Sequence, residues 1–482
     1  MHTSCLRSSA PRSIPLYNVL WAELSADQHT LTVDYAENVT DVQLQAAKLS
    51  FSTTLTAAAT TSAPGEGEDS SAPADSEAIT RWVDTLMSRA YGPAPRCKTA
   101  YVLVNPHAGP GGAQKKWDHQ VKPIFEAARM PMTIHTTTRS GEALDLVRQM
   151  DIDKFDIVVP CSGDGLAYEV YNGLGSRPDA SRALHKIAVA HVPCGSGNAL
   201  ACNVFGTHRP SLAALAIVKG VPTPIDLISI TQGGTRTLSF LSQTLGVMAE
   251  ADLATEHLRW MGSARFMYGA LTRILKKKEY PCELYVKMEV EHKEGVRDHY
   301  KRHREGSVVG PDLAAAPSLD REGQAGEKGL PPLRYGTTDD KIPEDWVKVD
   351  ADKIGTIFTG NLAWMAPDVL FFNAALMNDG FLDVYIINAD VPFSKVLGLF
   401  ASSSDNTFID HPLVKYFKVS AFRIVPKYEH GYISIDGEKV PFEPFQAEVH
   451  PGLGMVITKR GTVEAPGPKN WDKVTPAQRL MA

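Results

Sequence analysis

The stretch Asp156–Leu174, DIVVPCSGDGLAYEVYNGL, reads as a β-strand, a glycine-bracketed turn and a helix in immediate succession. Ile157, Val158 and Val159 form a β-branched run suited to a buried strand. Leu166, Val170 and Leu174 then recur every fourth residue, which places them on one helix face. Between the two, Gly163 and Gly165 flank Asp164, so the chain bends with little steric cover over the carboxylate. The same rhythm repeats on either side. TAYVLV (Thr99–Val104) runs into NPHAGPGG (Asn105–Gly112), MTIHT (Met132–Thr136) precedes GEALDLVRQM (Gly141–Met150), and KIAVAHV (Lys186–Val192) runs into PCGSGNALA (Pro193–Ala201). Strands alternating with helices predict a parallel sheet covered on both faces, and such sheets take ligands beyond the carboxyl ends of their strands.

Beyond Pro224 the pattern changes to longer alternating runs: TLSFLSQTLGVM (Thr237–Met248), CELYVKMEVE (Cys282–Glu291), LDVYIINA (Leu382–Ala389) and FKVSAFRIV (Phe417–Val425). These predict a mostly antiparallel β half, interrupted by a helical stretch over Ala254–Glu279. The expected organisation is a small β-rich accessory segment over 1–52, then a flexible linker and short helix over 53–96. An α/β domain follows over 97–227, then a β-rich domain over 228–465 and a tail over 466–482. The linker rests on Thr53–Glu77, TTLTAAATTSAPGEGEDSSAPADSE, which has too little apolar surface to order itself. The polar run 292–344 is expected to be an unstructured insertion for the same reason.

Composition narrows the function. The 482 residues are 43% hydrophobic and 22% charged, as in an ordinary globular protein of two or three domains. A formal net charge of −6 argues against nucleic acid as partner, because phosphate-backbone binders carry a basic excess. The six cysteines are scattered with no CxxC pair, which fits free thiols in a reducing compartment. No apolar run reaches the length of about 18 residues that a spanning helix needs, and the N-terminus has no secretory pattern. Peripheral membrane contact stays compatible with this composition. Lys276–Lys278 reads as a solvated helix end.

The glycine turns carry the chemistry. NPHAGPGG can cradle a phosphate with its backbone N–H groups or simply cap a strand, and it is not a P-loop, since GxxxxGK[ST] is absent. Asp164 is either a reactive carboxylate in a crevice or the cap of the helix that follows. Glu169 faces away from the apolar stripe, toward a ligand or solvent. Gly195, Ser196 and Gly197 precede a helix beginning near Asn198, an arrangement that points N–H groups at an anion. Three such turns on neighbouring strands make a nucleotide cradle the better reading than any one alone.

With these residues the chain resembles the lipid-kinase family of diacylglycerol, ceramide and sphingosine kinases, most closely the sphingosine or long-chain-base kinases. The glycine elements stand in that family's order and spacing. The match continues through GVMAEADLATEHLRWMGSARFMYG (Gly246–Gly269) and ISIDGE (Ile433–Glu438), covering residues 98–292 and 346–460. Tyr168 in place of a frequent histidine and Cys194 in place of a frequent alanine are mild departures; Cys194 raises the prospect of an oxidisable nucleotide site.

The resemblance implies an α/β nucleotide-binding domain with a parallel sheet, followed by a mostly antiparallel β-rich lipid-binding domain. It implies ATP and Mg²⁺ as cofactors and a sphingoid base as phosphate acceptor at its primary hydroxyl. Asp164 is implied as catalytic base, within a substrate-facing Ser162, Gly163, Asp164, Gly165 turn. Nucleotide contacts are implied for Asn105, Pro106 and His107, for the turn Thr137, Thr138, Arg139, Ser140, Gly141 beside the adenine, and for Glu169, Gly195, Ser196 and Gly197. Arg259 and Arg265 are implied at the phosphates, and Asp436, Gly437 and Glu438 in a turn that returns to the nucleotide. Asp252 is implied at the amino-alcohol head group, where a carboxylate suits a cationic amine. No Mg²⁺ ligand is assigned. A cytoplasmic enzyme in peripheral contact with intracellular or plasma membranes is the expected setting.

Three rivals remain at this point. A neutral-lipid kinase for ceramide or diacylglycerol is opposed only by the Asp252 region. A soluble NAD or sugar kinase is opposed by PCGSGNALA and the absence of a GGDG turn. A silent lipid-sensing scaffold is opposed by intact Asp164, Glu169, Gly195, Gly197 and Glu438.

Overall fold

The computed structural model describes residues 13–53, 72–109, 111–253, 278–306, 329–392 and 406–469, with the single residues 269, 395, 398, 399 and 402. The chain opens with an antiparallel sheet of β1 (Val19–Leu24), β2 (Thr30–Thr40) and β3 (Gln43–Ser52), followed by α1 (Ala72–Tyr91). The parallel layer comprises β4 (Ala100–Val104), β5 (Met132–Thr136), β6 (Ile157–Ser162), β7 (Ala188–Val189) and β8 (Val192–Pro193). Its helices are α2 (Ala113–Lys116), α3 (Lys122–Ala127), α4 (Glu142–Gln149), α5 (Asp164–Gly175), α6 (Ala180–Lys186), α7 (Ala199–Phe205) and α8 (Pro210–Lys219). All residues of β4 and β6 are buried, as parallel strands covered on both faces must be.

Register sets the site. Val104 lies beside both Thr136 and Cys161, and Ser162 lies beside Pro193. The turns after β4, β5, β6 and β8 therefore open at one level on one edge of the sheet.

The second half is antiparallel. It contains β9 (Val221–Gln232), β10 (Thr235–Ser239), β11 (Ser242–Gly246), α9 (Val247–Leu253), β12 (Cys282–Val290) and α10 (Lys293–Gly306). After these come β13 (Val347–Val349), β14 (Ile354–Gly360), β15 (Trp364–Ala366), β16 (Val369–Leu370), β17 (Leu382–Asn388) and β18 (Lys415–Pro426). The last strands are β19 (Ile433–Ile435), β20 (Glu438–Val440) and β21 (Phe445–Thr458). Among the described residues no helix is long and apolar enough to cross a membrane.

Four features differ from the sequence reading. The boundary at 227/228 falls inside the continuous strand β9. Moreover β21 pairs in parallel with β7 and antiparallel with β9 and β18, so a single 16-stranded sheet among the described residues runs through both halves. The helix before the catalytic half is not short, since α1 has 20 residues. The accessory strands are not detached: Val19, Leu20 and Leu44 share one apolar core with Ile124, Leu215 and Tyr91.

Finally, the insertion is folded at both ends. α10 buries Val296, and residues 334–340 are stitched to the β half by Arg423, whose guanidinium donates to the carbonyls of Thr337, Thr338 and Asp340. Glu448 accepts from the Arg334 and Tyr335 N–H groups. What orders this end is its backbone, whose N–H and carbonyl groups pair with the buried Glu448 and Arg423 side chains of the β half. Residues 307–328 of the insertion, 54–71 of the linker and most of the expected 254–279 helix lie outside the described residues.

Candidate active site

Close contact between the glycine turns builds the site. A Cβ on Gly195 would stand 2.3 Å from the Gly163 Cα, and one on Gly109 would stand 3.1 Å from the Cys194 carbonyl oxygen. Only glycines let the turns after β4, β6 and β8 stack in this way. Gly109 also has φ +59°, a region that glycine enters without strain. Asn105 forms the first turn: its Oδ1 accepts from the His107 N–H at 3.0 Å and its Nδ2 donates to Ser162 Oγ at 3.3 Å. In the third turn Asn198 Oδ1 accepts from the Gly195 N–H while its Nδ2 returns a bond to the Gly195 carbonyl.

Asp164 sits at the centre, with a side chain only 11% exposed. Its Oδ2 accepts from the Ala199 N–H at 2.8 Å and its Oδ1 from the Leu200 N–H at 2.9 Å. This revises the expectation that the first N–H groups of α7 face a phosphate, because Asp164 takes them. The donors left for an anion are the N–H groups of Ser196 and Gly197, which have no intramolecular partner among the described residues and are half-exposed.

Glu169 is likewise engaged. Its carboxylate accepts from the Gly141 and Ala143 N–H groups at 3.0 and 3.1 Å, capping α4 and fixing the turn from Thr137 to Gly141. Glu142 closes that turn from the other side, accepting from the Thr138 hydroxyl and the N–H groups of Thr138 and Arg139. Arg139 is held to Asp145 at 2.7 Å.

Asp436 and Glu438 play different parts. The Asp436 carboxylate is buried and accepts from Ser239 Oγ and from the N–H groups of Phe240, Leu241 and Ser242 at 2.6–3.0 Å. Burial nonetheless pushes its pKa up to about 6, the four donors pulling the other way. Asp436 therefore holds the start of β11, its carboxylate taken up by these four donors. Glu438 faces the glycine turns, its Oε1 lying 3.0 Å from the position of a Cβ on Gly165. Gly437, at φ +85°, turns the chain between the two.

Asp252 falls on α9; Arg259 and Arg265 lie outside the described residues. Beside α9 an apolar recess is walled by Val247, Met248, Phe371, Tyr385, Leu399 and Phe408. These residues come from five separate segments, and nothing in their spacing distinguishes them from ordinary core. Lys278 lies on the same wall, exposed but paired with Glu250 of α9 and 4.8 Å over the Tyr280 ring, while Lys276 and Lys277 lie outside the described residues. Cys194 is buried and its thiol is pushed up to about 11, which makes it a poor target for oxidation. Cys97, Cys161, Cys202 and Cys282 are also free thiols, and Cys5 lies outside the described residues.

Residues 99–230 match the diacylglycerol kinase catalytic domain, and residues 352–458 match the YegS C-terminal NAD kinase beta sandwich-like domain. Residues 2–92 match a family described only as a domain of unknown function. The fold is shared with the crystal structure of a diacylglycerol kinase from Bacillus anthracis, at TM-score 0.50 and 15% identity over 75% of this chain and 97% of that one. A parallel sheet crowned by glycine turns and joined to an antiparallel β half with an apolar recess thus defines a lipid kinase of the diacylglycerol-kinase class.

Within that class, the sphingoid long chain base kinase 5 of Saccharomyces cerevisiae is 33% identical over 79% of this chain, which spans 62% of that relative's length. The sphingoid long chain base kinase 4 of Schizosaccharomyces pombe is 30% identical over 78% of this chain and 79% of its own length. Sphingosine kinase 1 of Arabidopsis thaliana is 33% identical over 71% and 68% respectively. The chain belongs to the sphingosine, or sphingoid long-chain-base, kinase family.

Proposed function

We propose that the protein transfers the γ-phosphate of ATP to the primary hydroxyl of a sphingoid base: sphingosine, dihydrosphingosine or phytosphingosine. The observation that carries this reading is the convergence of three glycine turns and Glu438 around one enclosed carboxylate, Asp164, in a chain whose relatives bear the names above.

Each Asp164 oxygen accepts one backbone N–H and keeps capacity for another partner. As the lipid hydroxyl oxygen attacks the γ-phosphorus, its proton passes to Asp164, and the bond to the bridging oxygen breaks to release ADP. The Ser196 and Gly197 N–H groups would receive phosphate oxygens, with Arg259 and Arg265 proposed beside them. The turn fixed by Glu169 and Glu142 would hold the adenine. Asp252 would meet the cationic head group while the recess beside α9 takes the alkyl chain, a division that suits a single-chain amphiphile.

Mg²⁺, when bound, neutralises charge on the phosphates. No cluster of three His, Cys, Asp or Glu occurs among the described residues, which fits an ion held chiefly by nucleotide oxygens and water. Because the acceptor resides in a bilayer, the enzyme would work in peripheral contact with a membrane from the cytoplasmic side.

The test is lipid phosphorylation by purified protein with Mg·ATP and a panel of sphingosine, dihydrosphingosine, phytosphingosine, ceramide and diacylglycerol. Product from the free bases is expected; product only from ceramide or diacylglycerol would overturn the substrate, and none at all the enzyme. Asp164→Asn should lower kcat by about 10²–10⁴-fold with ATP affinity within a few-fold. Retained turnover would remove Asp164 from the role of base.

A further inference from the structure

One buried group behind the site has no part in the mechanism above. His191, between β7 and β8, is fully enclosed, at 0% exposure. Its Nε2 lies 3.0 Å from the carbonyl oxygen of Ser162. A carbonyl can only accept, so Nε2 carries the hydrogen. Burial keeps the ring neutral by pulling its pKa down, with the Asp164 charge and the Ser162 bond acting in the opposite direction. In this neutral tautomer Nδ1 is a bare lone pair. It has no hydrogen-bond partner, and it stands 3.8 Å from Asp164 Oδ1.

A nitrogen lone pair facing an ionised carboxylate oxygen is an unsatisfied acceptor set against a second acceptor. That arrangement leaves the two acceptors with no hydrogen to share. It is relieved only when the oxygen takes a proton, and that is the event that turnover requires of Asp164. A shift of about 1 Å would then close the gap to hydrogen-bond distance.

We propose that His191 is a positioning residue for phosphoryl transfer: its bare Nδ1 accepts a hydrogen bond from Asp164 Oδ1 once that carboxylate holds the lipid hydroxyl proton, and so holds the protonated carboxyl in place. The inference rests on the reading of Asp164 as base. The proton stays on Asp164 through the transfer and returns to water with product release. The O–H bond of the lipid breaks, the carboxyl O–H bond forms, and no charge moves onto the imidazole.

Asp164 of α5 is the one charge acting on His191 among the described residues. Two further titratable groups lie near Asp164: Cys202 of α7, whose thiol is pushed up to about 12 by burial and by that carboxylate and so stays protonated throughout the working range, and Glu438 of β20, which faces the adjoining Gly165. The α7 N–H donors and the Ser162 carbonyl do not titrate.

The deciding measurement is kcat/KM against pH from 5 to 9, for wild type, His191→Phe, His191→Asn and Asp164→Asn. Removing the acceptor in His191→Phe should lower plateau kcat about tenfold, with both KM values within about threefold. The acidic limb should move to lower pH, because the protonated carboxyl has lost its acceptor. His191→Asn offers an amide oxygen near the former Nδ1 and should bring the limb back toward wild type. If His191→Phe does not fold, His191→Gln carries the same comparison.

An acidic limb unmoved in every folded His191 variant, whatever the loss of rate, would reduce His191 to packing and overturn the proposal. An active Asp164→Asn would instead sink the base assignment and this inference together. An inactive Asp164→Asn beside an unmoved limb would sink only the inference.

Discussion

At Gly195 the site depends on a missing methyl group. A Cβ there would meet the Gly163 backbone, which cannot swing aside as a long side chain could. Gly195→Ala should therefore push the third turn off the second and cost at least tenfold in ATP affinity, measured by calorimetry, while the sheet beneath keeps its melting temperature within a few degrees. Asp436 makes the opposite case, a residue whose value lies in what it accepts. Replacing it with Asn puts an amide NH₂ among four donors, and Asp436→Asn should destabilise by about 2–4 kcal/mol in denaturant unfolding. Neither change removes a group that chemistry consumes.

Among elements, a buried lysine helps fasten the accessory layer. Lys219, at the end of α8, donates to the carbonyls of Val19 on β1 and Ala90 on α1, and lies 3.5 Å over the Tyr91 ring. Lys219→Met would leave two buried carbonyls without their donor. Thermal unfolding should then show a loss of about 2–4 kcal/mol, with turnover per folded molecule unchanged. A pH effect belongs to the crossing of β9, β10 and β21. There His450 Nε2 meets Ser229 Oγ at 2.9 Å and Arg236 Nη2 at 3.2 Å. Burial and the neighbouring arginines lower its pKa from 6.5 to about 3. The unfolded chain therefore binds the proton more readily between those values, so this contribution is present above about pH 6.5 and is lost as pH falls toward 3. The slope is about 1.4 kcal/mol per pH unit inside that window. His450→Gln should flatten the fall in melting temperature between pH 6 and pH 4.

For the whole molecule the decisive strand is β21, which sits between β7 of the parallel layer and β18 of the antiparallel one, with β9 also alongside it. The catalytic half thus receives a sheet neighbour from the far end of the chain. A fragment of residues 97–227 would cut β9 and leave β7 with an open edge, and it should be insoluble or unfolded by circular dichroism. A cooperatively folded fragment would contradict the single-sheet account. This arrangement also places nucleotide turns and lipid recess on one continuous scaffold: β11 starts at the turn capped by Asp436 and ends where α9 meets the recess.

The sequence alone determined whatever is encoded over short distances. Strand, turn and helix around Asp164 were legible because β-branched runs, paired glycines and a fourfold apolar repeat are local signals, and the order of the turns disclosed the family. Tertiary structure decided what those residues touch. Asp164 and Glu169 looked like groups facing a ligand, yet each accepts backbone N–H groups from a segment 26 to 36 residues away. Asp436 turned inward to a partner 194 to 197 residues distant, and the recess gathered apolar side chains that sequence cannot tell from core. The lone nitrogen of His191 has no sequence signal at all. A hydrogen bond or a void depends on where two distant segments meet, and that is fixed by packing, not by local propensity.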